Sequence, residues 1–260
     1  MQNKVDLNSD LGESFGNYQM GQDAFIIPLI SSTNVACGFH AADPVVMTKT
    51  IAHVKKANIA IGAHPGFPDL MGFGRRNMNL TFEEAKAYVQ YQVAALMGMA
   101  KAQGLTLAHV KPHGALYNMA AVDDELARAI CEGVKELDDE LIILGPSGSA
   151  INRVALDLGL KVASEVFADR AYEEDGTLVN RNKAGAFIHD ENEAVLRVIR
   201  MIKEQKVKTI TGKDISIQAD SICVHGDGEK ALLFVEKIRA GLKVAGIEIA
   251  PLAEVIVTNR

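Results

Sequence analysis

Lys4-Val-Asp-Leu-Asn-Ser-Asp-Leu-Gly-Glu13 alternates apolar and polar residues and runs into a turn that carries glycine and acid. Side chains alternate along a strand, so Asp6, Asn8 and Asp10 share one face. Buried acids need partners, and Asp10 lies nearest the end of the strand, where it is the first candidate for a general base, with Glu13 next. Asp6 reads either as a further functional acid or as a hydrogen-bonded anchor deep in the fold. Outward from Lys4–Ser9 the same kind of unit recurs at Ser32–Cys37, Ile59–Ala63, Thr106–Lys111, Leu141–Leu144, Lys161–Val166 and Ser221–Val224. Each is short and apolar or β-branched, as strands covered on both faces are.

Amphipathic stretches lie between these runs. Asp43-Pro44 supplies an N-cap acid and a first-turn proline. Thr81-Phe-Glu-Glu84 is a capping box that opens a long helix ending near Gly104. Asp123, Glu191 and Glu229 lie near the starts of others, where acids complement the helix dipole. The strand–helix rhythm implies parallel pairing with right-handed crossovers. About seven such units predict an α/β fold, a single TIM-like parallel β/α barrel over residues 1–260. An open doubly wound sheet is the alternative, because periodicity does not report closure.

The 260-residue chain has the length of such a barrel, about 250 residues. Its hydrophobic content of 48% and charged content of 23% are those of a globular domain. A net charge of -6 argues for solubility and against a nucleic-acid surface, which needs a basic stripe. The first residues lack the apolar core of a signal peptide, and no run approaches the ~20 apolar residues of a membrane span. Cys37, Cys131 and Cys223 are far apart and form no CxxC pair, so a reducing cytoplasm is the expected location.

Polar residues concentrate just after the strands: Asn8, Asp10 and Glu13; Asn34 and His40; His64; Lys111, His113 and Tyr117; Glu165, Asp169 and Arg170; His225 and Asp227. Parallel α/β folds bind ligands at the C-terminal ends of their strands, so these groups are expected at one mouth. A lone histidine in a loop is ordinarily a satisfied structural residue; His40, His64, His113 and His225 on one rim point to an active site. A catalytic metal stays open, since Asp10, His40, His64 and His113 suit zinc-like ions, but neither HExxH nor a cysteine pair is present. On an extended strand His109 and His113 would stand about 13 Å apart, which places His109 deeper or on another face. No phosphate loop of the form GxxxxGK followed by Ser or Thr occurs. Gly72-Phe-Gly74-Arg75 reads either as an anion nest or as a solvated glycine turn.

Asp6-Leu-Asn-Ser-Asp-Leu-Gly-Glu-Ser-Phe-Gly16, Asn34-Val-Ala-Cys-Gly-Phe-His-Ala-Ala-Asp43, Gly62-Ala-His-Pro-Gly-Phe67, His109-Val-Lys-Pro-His-Gly-Ala-Leu-Tyr117, Glu165-Val-Phe-Ala-Asp-Arg-Ala-Tyr172 and Cys223-Val-His-Gly-Asp227 resemble the signatures of the lactam-utilisation family, the A-type component of 5-oxoprolinase. The resemblance runs nearly end to end without departure. It implies a β/α barrel distantly similar to polysaccharide deacetylases, and ATP-dependent opening of 5-oxo-L-proline to L-glutamate. It also implies two further subunits, which would handle ATP and magnesium and phosphorylate the lactam. On that expectation Asp10 activates water, while His64 and His113, with Glu13 and His40 behind them, move protons or stabilise charge. Lys111 or Arg170 would hold the substrate carboxylate, Asn8 and Asn34 the ring amide, and Asp169 and His225 would line the site. The competing expectations are a metal-dependent deacetylase-like hydrolase and a non-catalytic, substrate-binding component of the complex.

Overall fold

The computed structural model describes residues 4–224 and 231–258. Its strands are β1 (Lys4–Leu11), β2 (Ser32–Ala36), β3 (Ala60–His64), β4 (His109–Val110), β5 (Ile142–Pro146), β6 (Lys161–Phe167), β7 (Lys206–Lys208), β8 (Asp214–Ser216), β9 (Ser221–Cys223) and β10 (Glu248–Ile249). The strands β1 to β6 pair in parallel in sequence order, and β9 pairs with both β6 and β1, which closes a seven-stranded barrel. The β10 strand adds beside the first residues of β1. The β7–β8 pair is an antiparallel hairpin outside the barrel. The sequence reading does not foresee it, because strands this short show no clear alternation.

The connecting helices are α1 (Asp23–Ile26), α2 (Pro44–Ala57), α3 (Phe82–Ala102), α4 (Gly114–Ala120), α5 (Asp124–Leu137), α6 (Ala150–Asp157), α7 (Glu191–Glu204), α8 (Ala231–Val244) and α9 (Leu252–Thr258). Asp43 accepts from the amides of Val45 and Val46 to cap α2, and Thr81 and Glu84 form the reciprocal box that opens α3. Asp123 caps α5, whereas the cap of α7 is Asp190, with Glu191 in the first turn. Glu229 lies outside the described residues. The fourth strand is shorter than expected: its ladder covers His109 and Val110, and Pro112 just beyond has no N–H to extend it.

Alternation sorts the first strand as its sequence implies. Val5, Leu7 and Leu11 join the main core between barrel and helices, while Asp6, Asn8 and Asp10 turn the other way and bond to groups of the barrel interior. That interior has two characters. One side is polar: Asp6, Asn8, Ser32, Asn34 and His109 are all fully buried. The other is apolar: Ile142, Leu144 and Ala163 pack with Leu252 and Ile256 of α9, which stoppers the barrel. Among the described residues no helix is long and apolar enough to cross a membrane.

Candidate active site

The polar column begins with Asp6, whose carboxylate accepts from the hydroxyls of Ser31 (2.7 Å), Ser32 (2.5 Å) and Ser221. Burial pushes its pKa up to about 6, against the pull of those hydroxyls. Above it, Asn8 donates to Ser221 Oγ (2.7 Å) and to Glu165 Oε1 (2.9 Å). Asn34 donates to Asn8 Oδ1 (2.7 Å) and to Asp10 Oδ1 (2.8 Å). Asn34 Oδ1 in turn accepts from His109 Nε2 at 2.6 Å. His109 is therefore a deep structural histidine, and burial followed by the Lys111 charge lowers its pKa to about 3. Gly62 makes room for it, since a Cβ there would stand 2.1 Å from His109 Nε2.

Lys111, from the end of β4, tops the column. Its ammonium lies 2.8 Å from Asp10 Oδ1, 2.9 Å from Glu165 Oε1 and 3.3 Å from Cys223 Sγ. Burial opposes its charge, but Asp10, Cys223 and Glu165 hold its pKa well above the usual range. Burial also works against the Asp10 charge, and there His64 and Lys111 prevail, so this carboxyl is held well below its usual range. Glu165 accepts in addition from Tyr117 Oη at 2.6 Å.

Beside Asp10 the histidines converge. His64 Nε2 is 3.4 Å from Asp10 Oδ2 and 2.9 Å from His113 Nδ1. Glu13 Oε1 lies 3.5 Å from His113 Nδ1 and 3.2 Å from His40 Nε2. The rings of His40 and His113 stack at 3.6 Å. Burial first, then neighbouring imidazoles, hold both His40 and His113 well below the usual histidine range. The loop after β3 clamps this group. Phe73 gives its carbonyl to His113 Nε2 at 2.8 Å, and a Cβ on Gly74, whose φ is +63°, would meet His40 and His113.

These groups floor a cavity of about 910 Å³. Asp10, Glu13, His64, Lys111, His113 and Glu165 reach it from below. Arg75, Arg170 and Arg181 line it higher up. Much of the upper wall comes from an irregular excursion over residues 168–190, tied by the bridges Arg170↔Phe187 and Tyr172↔Leu178. Arg170 stitches this segment: it donates to Val179 O (2.6 Å) and Ala186 O (3.4 Å) and stacks on Phe187.

Of the residues expected at the site, Asp10, Glu13, His64, Lys111, His113, Arg75 and Arg170 line the cavity. His40 is fully buried behind His113, and Asn8 and Asn34 lie beneath Asp10. Asp169 is half-buried and off the cavity wall. His225 and Asp227 lie outside the described residues. The glycine loop is already filled by a carboxylate of its own: Gly72 N–H donates to Asp69 Oδ1 (3.0 Å), Gly74 N–H donates to Asp69 O (2.9 Å), and Arg76 pairs with Asp69. Arg181 is a wall residue that the sequence reading misses. It sits in a polar loop without periodicity, and only the strand-end position of the excursion hints at it.

A family model described as the LamB/YcsF family matches residues 5–257. The chain belongs to the LamB/YcsF family. It is 62% identical to a protein of Clostridium beijerinckii named as the A-type component of 5-oxoprolinase, over 97% of this chain and 99% of that protein. The lactam utilization protein of Thermus thermophilus has the same LamB/YcsF barrel, with a TM-score of 0.90 and 44% identity over 95% of this chain and 99% of that one. A T48 deacetylase shares the fold alone, with a TM-score of 0.50 and 15% identity over 99% of this chain and 92% of that one.

Proposed function

We propose that this chain is a subunit of an ATP-dependent 5-oxoprolinase and that its cavity opens the activated lactam ring of 5-oxo-L-proline to give L-glutamate. The full-length likeness to a protein named as a component of 5-oxoprolinase supports the assignment. The single observation that carries the chemistry is the cavity floor, where Asp10 and His64 (3.4 Å apart) meet His113 beneath a wall bearing Arg75, Arg170 and Arg181.

A lactam is a resonance-stabilised amide that water attacks slowly. In this reading two partner subunits use ATP and magnesium to phosphorylate its oxygen. The cationic wall suits the phosphate and carboxylate so produced. Water held between Asp10 and His64 gives its proton to that pair as its oxygen adds to the ring carbon. The C–N bond then breaks with a proton delivered to nitrogen, and hydrolysis of the resulting acyl phosphate leaves the side-chain carboxylate of glutamate. Lys111, itself paired with Glu165, keeps Asp10 charged and in place.

The test is glutamate release from 5-oxo-L-proline and ATP, with this chain alone and with its partner subunits. Glutamate formed only in the presence of both this chain and the partners is expected, and a folded Asp10→Asn chain should lose it. Full turnover by that variant, or no glutamate in any combination, would overturn the reading.

A further inference from the structure

The hydrogen-bond pattern around His64 and His113 fixes their tautomers. His64 Nδ1 is 2.8 Å from Lys111 O, and His113 Nε2 is 2.8 Å from Phe73 O. A carbonyl only accepts, so the ring protons of the neutral imidazoles sit on those outer nitrogens. Each inner nitrogen, His64 Nε2 and His113 Nδ1, therefore carries a bare lone pair. The two face each other at 2.9 Å, with the carboxylate oxygen of Glu13 3.5 Å from the second. Lone pairs and an anion at this range repel unless a cation lies among them.

We infer that these three residues form a metal site: His64 Nε2, His113 Nδ1 and Glu13 Oε1 bind one divalent transition-metal ion of the zinc class, with its open side toward the cavity. Four observations support this. Ligand bonds near 2.1 Å place the donors of a tetrahedral ion about 3.4 Å apart, and the donors here are spaced on that scale. Nitrogen-rich ligation favours zinc and its neighbours over magnesium or calcium, which take oxygen. Each ligating imidazole is oriented by a backbone carbonyl on its other nitrogen, the usual support of metal-bound histidine. His40 Nε2, 3.2 Å from Glu13 Oε1 with its ring stacked on His113, holds the carboxylate in the same way. Four donor groups in all lie within 4.8 Å of one another.

All three ligands line the cavity, so the fourth position opens to it, as in catalytic rather than structural zinc sites. Asp10 Oδ2, 3.4 Å from His64 Nε2 and outside the ligand set, is then the acceptor for a proton from water on the ion. That role rests on the 5-oxoprolinase reading; the binding itself does not.

The experiment is zinc titration by calorimetry of the full chain after chelation and desalting, with the cobalt(II) absorption spectrum as a second readout. One ion per chain and a tetrahedral or five-coordinate cobalt spectrum are expected. Glu13→Gln, which is nearly isosteric, should raise Kd at least roughly tenfold, and His113→Ala further still. Thermal unfolding of each variant shows that it is folded, and Glu13→Gln alone carries the test should His113→Ala fail to fold. No uptake by the wild-type chain would mean that a single proton is shared between the rings and would overturn the site. Uptake unchanged by Glu13→Gln would also overturn it. Metal binding without glutamate release from the assembled subunits would leave the site standing and remove the 5-oxoprolinase role; glutamate release from a chain that takes up no metal would do the reverse.

Discussion

Replacing Lys111 by methionine keeps most of the side-chain volume and deletes the ammonium at the top of the polar column. In the wild-type chain Lys111 is 2% exposed, and its ammonium lies within 2.9 Å of carboxylates on both Asp10 and Glu165. Without it, Glu165, itself 1% exposed, faces Asp10 with no cation between them. Removing one partner of a buried ion pair costs about 3–5 kcal/mol, most of it the burden of the uncompensated charge. For a chain of this length each kcal/mol lowers the melting temperature by roughly 2 °C, so a drop of ~6–10 °C is expected. Differential scanning calorimetry and guanidinium unfolding measure the loss independently. Adding Glu165→Gln to Lys111→Met should restore part of it, because the neutral amide still meets Asn8 and Tyr117. A single Lys111→Met chain less than about 1 kcal/mol below wild type would refute the view that this ammonium holds the two carboxylates together.

Other outcomes follow from the same geometry. Asp6 has its folded pKa raised to about 6 from an ordinary value of 3.8; its contribution is fully present below pH ~3.8 and is lost as pH rises through 6, a span worth ~3 kcal/mol. The stability difference between wild type and Asp6→Asn should therefore shift against wild type between about pH 4 and 6.5, and a difference that is flat across this window counts against the buried acid. Gly62→Ala should cost roughly 2–4 kcal/mol, read from the denaturant midpoint, because the new methyl must push His109 off Asn34. Arg170→Met should make residues 173–185 susceptible to limited proteolysis, since it removes the bonds to Val179 and Ala186; an unchanged digestion pattern would show that other contacts hold the excursion.

The barrel is legible in the sequence because each strand is apolar where helices cover it and polar where it ends, and because Asp43 and Thr81 announce their helices. The alternation of Asp6, Asn8 and Asp10 likewise places three polar groups on one face of the first strand. What escapes the sequence is what depends on register across strands. That His64 and His113 come within 2.9 Å follows from β3 lying beside β4 with Gly62 opposite His109, which no spacing along one chain reveals. Glu165 can be placed on the rim from its strand but not recognised as the second counter-ion of Lys111. The 168–190 excursion is held by isolated bridges and arginine-to-carbonyl bonds, neither of which leaves a periodic trace. Gly72-Phe-Gly74-Arg75 has the composition of an anion cradle, and only the fold shows Asp69 lying in it.

The Asp69 carboxylate in that cradle also bears on kinetics. A loop that waits for an external phosphate or carboxylate is ordered only on binding and spends part of the ligand's affinity on its own conformational entropy. Here Asp69 and Arg76 order the loop as the chain folds. The Phe73 carbonyl therefore orients His113 in the resting protein, and substrate encounters a pre-set histidine pair instead of assembling one.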